Sequence, residues 1–307
     1  MSEESIINTS ISTLYSLNNS DNLDNVLVTS SNINSIFNFI FTNEQEKTKY
    51  TGEYLEEIFY NLLEEEKEIK KPIYGYMSNQ KDINEKMRAI LIDWLIDIHY
   101  NFNLKKETLF QTIWLIDTYL SYEQIPRSKF QLLGIACLLI SCKYNEVYYP
   151  RIIEFINITA KAYEIKELLK MEQDILKRLD FNILAPTAIQ FYDILWKLFN
   201  FNSKQYHLGS YFLESYLIDY NMISFPSSII ALSCAYIVMK FFNLNNYKYL
   251  YSIIDENNKY IFQQNIIKKS ARQLCFVVKN LSQSNLKAVK NKYSLEKFDK
   301  VSQYCEE

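Results

Sequence analysis

Apolar side chains recur along most of this chain every three or four residues, the period of α-helices that each turn one face toward a core. The clearest case begins at Met87: Met87, Ile90, Leu91, Trp94, Leu95 and Ile98 form one stripe, while Ala89, Ile92 and Ile96 put apolar groups on other faces. A helix of that kind is wanted by more than one neighbour. Upstream, Tyr54, Leu55, Ile58, Phe59, Leu62 and Leu63 repeat the spacing and predict a helix over 53–66. Downstream, the pattern predicts helices at roughly 84–101, 106–121, 127–144, 150–158 and 164–179. Five more follow at about 187–199, 204–220, 226–242, 247–254 and 259–282. The segment 128–144 is apolar almost all round, with Gly134, Ala136 and Ser141 as small residues along it. Such a helix is a buried, central one whose small positions let neighbours approach closely.

Polar punctuation sets the boundaries. Pro126 and Pro150 precede the third and fourth helices of the first group, natural places for Pro at a helix start. Asp82 is a cap candidate for the helix holding Met87. Residues 72–80 read as an extended linker, and Ala185-Pro186-Thr187 interrupts helix between two halves. Tyr119-Leu120, Pro126, Ser128 and Ala136-Cys137 find an echo in Tyr216-Leu217, Pro226, Ser228 and Cys234-Ala235. One helical unit used twice makes an all-α tandem, at 84–184 and 185–286, preceded by a helix and linker at 47–83. Residues 1–46 hold no Lys or Arg and are rich in Ser, Asn and Thr, a composition that predicts a disordered tail. Residues 287–307 read as a polar, charged closing tail.

Composition narrows the class. Only four Gly and five Pro among 307 residues leave few strand turns, and 48% hydrophobic residues can fill one large core or two ordinary ones. A net charge of −3 argues against nucleic-acid binding as the main activity. The five cysteines lack C-x-x-C spacing and two histidines offer no ligand cluster, so buried thiols in a reduced intracellular compartment are expected, with no cofactor or metal. No apolar run approaches the ~20 residues of a membrane span, so a soluble protein is expected. Gly-rich phosphate loops and catalytic dyads are absent from the sequence, so no enzyme activity is expected.

Four charged residues stand out because they lie in apolar helices: Arg88, Asp117, Lys143 and Glu172. An unpaired charge in such a place is costly. The run Met87-Arg88-Ala89-Ile90-Leu91 followed by Asp93-Trp94-Leu95 resembles the opening helix of a cyclin box in its A/B-type, mitotic spelling. Further matches follow in order: Thr108-Leu109, Asp117 before Tyr119-Leu120, Gln131-Leu132, Ser141-Cys142-Lys143-Tyr144, Met171-Glu172 and Leu179-Asp180-Phe181. The Leu184-Ala185-Pro186-Thr187 stretch is similar to the family's junction between two boxes.

The resemblance to B-type cyclins implies a two-box regulatory subunit that binds and activates a cyclin-dependent Ser/Thr protein kinase as a heterodimer, in the nucleus and cytoplasm. It implies kinase contacts at Lys143 and Glu172, with Tyr144, Phe181 and Ile183 around them and Tyr54 and Ile58 on the N-terminal helix. Tyr54 serves equally well as cover for the chain's own core. Met87, Ile90, Leu91 and Trp94, with Asp97 and Gln131, match a patch that receives Arg-x-Leu segments of substrates or inhibitors, and core packing is their other duty. Arg88 and Asp117 match a buried ion pair with a structural role. The chain departs from the family at Asp97, where Glu is commoner, and at Asn145, where many cyclins carry Glu. Residues 1–46 contain no Arg-x-x-Leu destruction motif. Two rivals remain: a cyclin-fold transcription factor, which needs a basic second repeat, and a scaffold that has lost its kinase. Residues 186–307 are mixed in sign, and Lys143 and Glu172 are both present.

Overall fold

The computed structural model describes residues 54–244, 250 and 261–305, and among these it contains helices and turns with no strand. Helix α1 spans Leu55–Glu68, α2 Glu85–Asn101, α3 Lys106–Tyr122, α4 Arg127–Asn145, α5 Ile152–Asn157 and α6 Ile165–Arg178. The second half holds α7 (Ala188–Leu198), α8 (Ser203–Ile218), α9 (Ser227–Phe241), α10 (Ile261–Gln283) and α11 (Ala288–Tyr293). The disordered tail expected at 1–46 and the helix expected at 247–254 lie outside the described residues.

Two central helices carry the two halves. Twelve side chains of α4 are buried, and α4 packs on α3 and α6. A Cβ on its Gly134 would stand 3.0 Å from Leu91 Cδ1, a tight contact, so bare backbone eases the approach of α2 to α4. Thirteen side chains of α9 are buried between α7, α8 and α10. A Cβ on Gly209 of α8 would fall 1.8 Å from the Tyr192 hydroxyl, so glycine is what lets α7 and α8 meet.

Each unit has its own apolar core, and α2 and α3 feed both. Leu91, Leu95 and Ile98 join Leu115 and Ile116 in the first core, whereas Ile92, Ile96, Leu109, Phe110 and Ile113 face the second. Leu55 and Phe59 of α1 also enter the second core. The Glu66 carboxylate fastens α1 there by accepting the Ser228 N–H (3.1 Å) and Oγ–H (2.6 Å) at the start of α9. An anion at a helix N-terminus meets unpaired amides and the positive end of the dipole.

Three expectations need correction. The cap of α2 is Asn84, whose Oδ1 accepts the Met87 N–H at 3.0 Å, and not Asp82. The linker at 72–80 is not extended throughout, because Gly75, at φ 94, turns the chain into a short 3₁₀ helix, Tyr76–Asn79, whose Tyr76 and Met77 are buried. The segment 287–307, expected as a polar, charged closing tail, instead carries a helix and buried side chains. Ala288, Val289, Lys292, Tyr293 and Val301 are buried, and α11 packs on both α2 and α8. The polar look of this segment conceals a buried ion pair, Lys292 Nζ to Glu214 Oε1 at 2.7 Å, to which Tyr293 donates its hydroxyl at 2.8 Å.

Candidate functional site

Lys143 closes the last turn of α4, where the helix dipole favours a cation. Glu172 sits midway along α6, and the two are paired at 2.6 Å, Nζ to Oε1. Lys143 is exposed, while Glu172 is only 8% exposed. Several apolar side chains at the end of α4 and in the stretches that follow these two helices have little cover of their own. Tyr144 and Leu184 are exposed, Phe181 is 69% exposed, and in the α4–α5 connection Val147 and Tyr149 are exposed and Tyr148 is 93% exposed. Phe181 reaches solvent because Asp180 and Phe181 both take left-handed backbone, φ 51 and 59. Bonds from Phe181 N–H to Leu176 O (2.9 Å) and Asn182 N–H to Leu179 O (2.8 Å) hold that turn. Ile183 differs from its neighbours: it is half-buried and packs on the first core. Tyr54 and Ile58, exposed on α1, complete the set of expected contact residues.

Asn145, one of the two departures from the resemblance noted above, carries an amide whose two N–H groups are both used. It donates to Gln111 Oε1 and to Ser141 O (3.1 Å), and Gln111 donates onward to Ile183 O at 2.8 Å. The amide thus ties the end of α4 to α3 and to the segment after α6.

The second candidate surface lies on α2. Ile90 is 60% exposed, Asp97 is exposed, and Met87, Trp94 and Gln131 are half-buried, while Leu91 is buried against Gly134. Burial raises the Asp97 carboxyl. One turn earlier, Asp93 accepts the Ala288 N–H at 3.0 Å, so the patch borders the closing helix α11.

Arg88 lies elsewhere. It is 1% exposed, bonds Asp117 through two nitrogens (2.7 and 2.6 Å), and donates to the carbonyls of Leu217 (3.0 Å) and Ile218 (3.3 Å). Tyr76 gives its hydroxyl to Asp117 Oδ1 at 2.8 Å. This group is internal and presents nothing to a partner.

Sequence reasoning passed over Val147, Tyr148, Tyr149 and Leu184, because short connections carry no period to betray an exposed apolar run. It also passed over Tyr76, Glu66, Glu214 and Lys292. The signal available for the last two was only that Glu214 is the one acidic residue of its helix, whose other charge, Lys204, lies in the first turn.

Among the described residues the fold is an all-helical tandem with exposed apolar side chains on two of its faces. Residues 57–184 match the family profile for the cyclin N-terminal domain and residues 186–307 that for the cyclin C-terminal domain. A G2/mitotic-specific cyclin-B of Hydra vulgaris is 33% identical over 251 residues, 82% of this chain and 68% of that protein. The G2/mitotic-specific cyclin-B of Spisula solidissima is 34% identical over 264 residues, 86% of this chain and 60% of that one. Cyclin-B2-1 of Arabidopsis thaliana is 38% identical over 231 residues, 75% and 53%. The chain spans a little over half to two thirds of these relatives' length. The X-ray structure of a viral cyclin from herpesvirus saimiri shares the fold, with a TM-score of 0.62 over 72% of this chain and 97% of that chain at 21% identity. The chain belongs to the cyclin family.

Proposed function

We propose that this chain is the non-catalytic regulatory subunit of a cyclin-dependent Ser/Thr protein kinase in mitotic control, and that the kinase seats on the face around Lys143 and Glu172. The observation that carries the reading is that charged pair together with three exposed aromatic residues, Tyr144 next to Lys143 in the chain and Tyr148 and Phe181 just past the ends of the two helices that hold the pair. An aromatic cluster centred on a charged anchor supplies both the apolar area and the polar specificity of a stable interface. The ammonium offers three donors and the carboxylate several acceptor sites, so both retain capacity for a partner's backbone after pairing with each other. Tyr54 and Ile58 extend the surface along α1. The kinase is activated because its active conformer binds this face better than the inactive one, and that difference in affinity is the activation.

The same proposal gives the α2 surface the recruitment of substrates carrying Arg-x-Leu. Ile90 and Trp94 would receive the Leu and Asp97 the Arg, from a carboxylate set back by one methylene relative to Glu. The deciding experiment titrates the purified partner kinase, captured with the endogenous protein, with wild type and with Tyr144→Ala plus Phe181→Ala. At least a tenfold loss of affinity and of activation is expected, with circular dichroism unchanged. Equal binding and activation by both proteins would move the kinase off this face.

A further inference from the structure

Where the linker after α1, helix α3 and the end of α8 converge, a crevice of about 300 Å³ opens between the two units. Its walls are apolar and aromatic: Phe110, Ile113 and Trp114 from α3, Met222 and Phe225 from the turn after α8, and Ile230 from α9. Pro186, at the junction of the units, adds to them. That size and that lining at a domain boundary are those of a small-molecule site.

The polar groups of the crevice sort in an uneven way. Apart from Lys71 at the rim, its charged groups already accept or donate hydrogen bonds within the protein. Arg88 is bonded to Asp117 and to two carbonyls, Glu66 accepts from Ser228, and Asp219 accepts the Asn221 N–H at 2.8 Å. What remains are donors. The Tyr216 hydroxyl and the Trp114 indole N–H belong to lining residues and find no hydrogen-bond partner among the described residues. Both are residues that usually satisfy their one polar atom when half-buried. Lys71, exposed, stands at the rim.

We infer that this crevice binds a small, neutral aromatic molecule carrying one hydrogen-bond acceptor, its ring among Phe110, Trp114 and Phe225 and its acceptor oxygen toward Tyr216 and Trp114. A fixed negative charge on the ligand is disfavoured by the Glu66 and Asp219 carboxylates of the lining, and a fixed positive one by its loss of water among the apolar walls. The ring would touch both units and the turn after α8 at once, so binding stiffens their junction and raises Tm. None of the residues assigned to the kinase or to the substrate lines this crevice.

The test titrates the full chain with acetophenone, a neutral, acceptor-only aromatic, read by saturation-transfer NMR and by Tm. Benzoate and benzylamine supply the charged comparisons. Saturable binding with Kd on the order of 1 mM is expected for so few atoms. Tyr216→Phe, which removes one oxygen, should weaken it about threefold to tenfold. Ala185→Phe, at a lining position, should abolish it. No saturation with wild type, equal affinity for wild type and Tyr216→Phe, or tighter binding of either charged probe overturns the inference. Should Ala185→Phe fail to fold, the Tyr216→Phe comparison still decides.

Discussion

Arg88 and Asp117 form a two-pronged pair, Nε to Oδ1 at 2.7 Å and Nη2 to Oδ2 at 2.6 Å, and the guanidinium that closes it also bonds the Leu217 carbonyl at 3.0 Å. One side chain therefore joins α2 to α3 and the first unit to the buried carbonyl end of α8. Burying two charges costs about as much as their attraction returns, so the pair adds little net stability while each partner depends on the other. Arg88→Ala strands a buried carboxylate and should cost about 3–5 kcal/mol, measured by urea denaturation. The double change Arg88→Met with Asp117→Leu should recover much of that loss. A double variant as unstable as the single one would mean that the carbonyl contacts across the units matter more than the charge.

The second prediction concerns acid. His99 is buried in the last turn of α2, and its Nε2–H donates to Lys105 O at 2.8 Å while Nδ1 has no partner. Burial, reinforced by the charge of Lys292, lowers the ring's pKa to about 4. Between the unfolded value near 6.5 and that folded value, the unfolded chain takes up a proton that the folded one declines. Stability is therefore complete above pH 6.5 and falls as pH drops toward 4, by about 3 kcal/mol in all. Burial also pushes the Glu214 carboxyl up, but Lys292, His99 and Lys106 outweigh it and hold it below the usual range. Its contribution is present above the unfolded carboxyl value and is lost as pH falls through the lower folded one, at more acid pH than the onset from His99. His99→Gln should flatten the decline between pH 6.5 and 4.5 and leave the steeper loss below it. An unchanged profile would assign the decline to other groups.

Lys292 and Glu214 offer a cleaner test of the closing segment. Both are buried, and Lys292 reaches both carboxylate oxygens at 2.7 and 2.8 Å. Lys292→Ala leaves Glu214 without its cation in the interior and should cost about 3–5 kcal/mol. Tyr293→Phe, which keeps the ion pair, should cost about 1 kcal/mol. Deleting the residues after 287 should expose the α2 and α8 surfaces that α11 covers, and hydrogen exchange should rise in those two helices. Unchanged protection there would make the segment a passive cover.

Helix placement was readable from the chain because a 3.6-residue period is a local property: the spacing of Ile90, Leu91 and Trp94 needs no knowledge of their neighbours. Charges inside apolar helices were legible for the same reason, since Arg88 and Asp117 break a pattern that is otherwise uniform. Glu66 was not legible, because it sits inside a run of mixed charge, 64–71, that looks solvated, and its partner Ser228 is 162 residues away. Lys292 was hidden likewise, 78 positions from Glu214 in a segment whose composition is that of a tail. Burial of a polar residue is decided by what folds over it, and no window of local sequence contains that.

The α2 patch separates two neighbouring residues. Ile90 is 60% exposed and Leu91 is buried against Gly134. If the patch recruits substrates, Ile90→Ala should slow phosphorylation of an Arg-x-Leu substrate severalfold, with Tm unchanged and a short peptide lacking the motif unaffected. Leu91→Ala should instead lower stability by about 2–5 kcal/mol, through loss of buried contacts and the cavity left behind. Loss on both substrates with Ile90→Ala would assign the patch to folding or activation.

Lys143 and Glu172 differ in burial, and the difference splits stability from binding. Their side chains are 35% and 11% exposed respectively. With Glu172→Ala the ammonium is free to swing into water, so the free chain should lose less than about 1 kcal/mol. With Lys143→Ala a largely buried carboxylate loses its only cation within reach, and the cost should be about 1–3 kcal/mol. In a kinase complex the order disappears, because each truncation leaves partner groups unpaired where water cannot reach them, and both variants should bind at least tenfold more weakly. Thermal melts and a titration of the kinase on the same preparations give both quantities. Equal melting of the two variants would contradict the burial asymmetry. Kinase affinity that follows melting, with Glu172→Ala left near wild type, would show that the pair only braces α4 against α6.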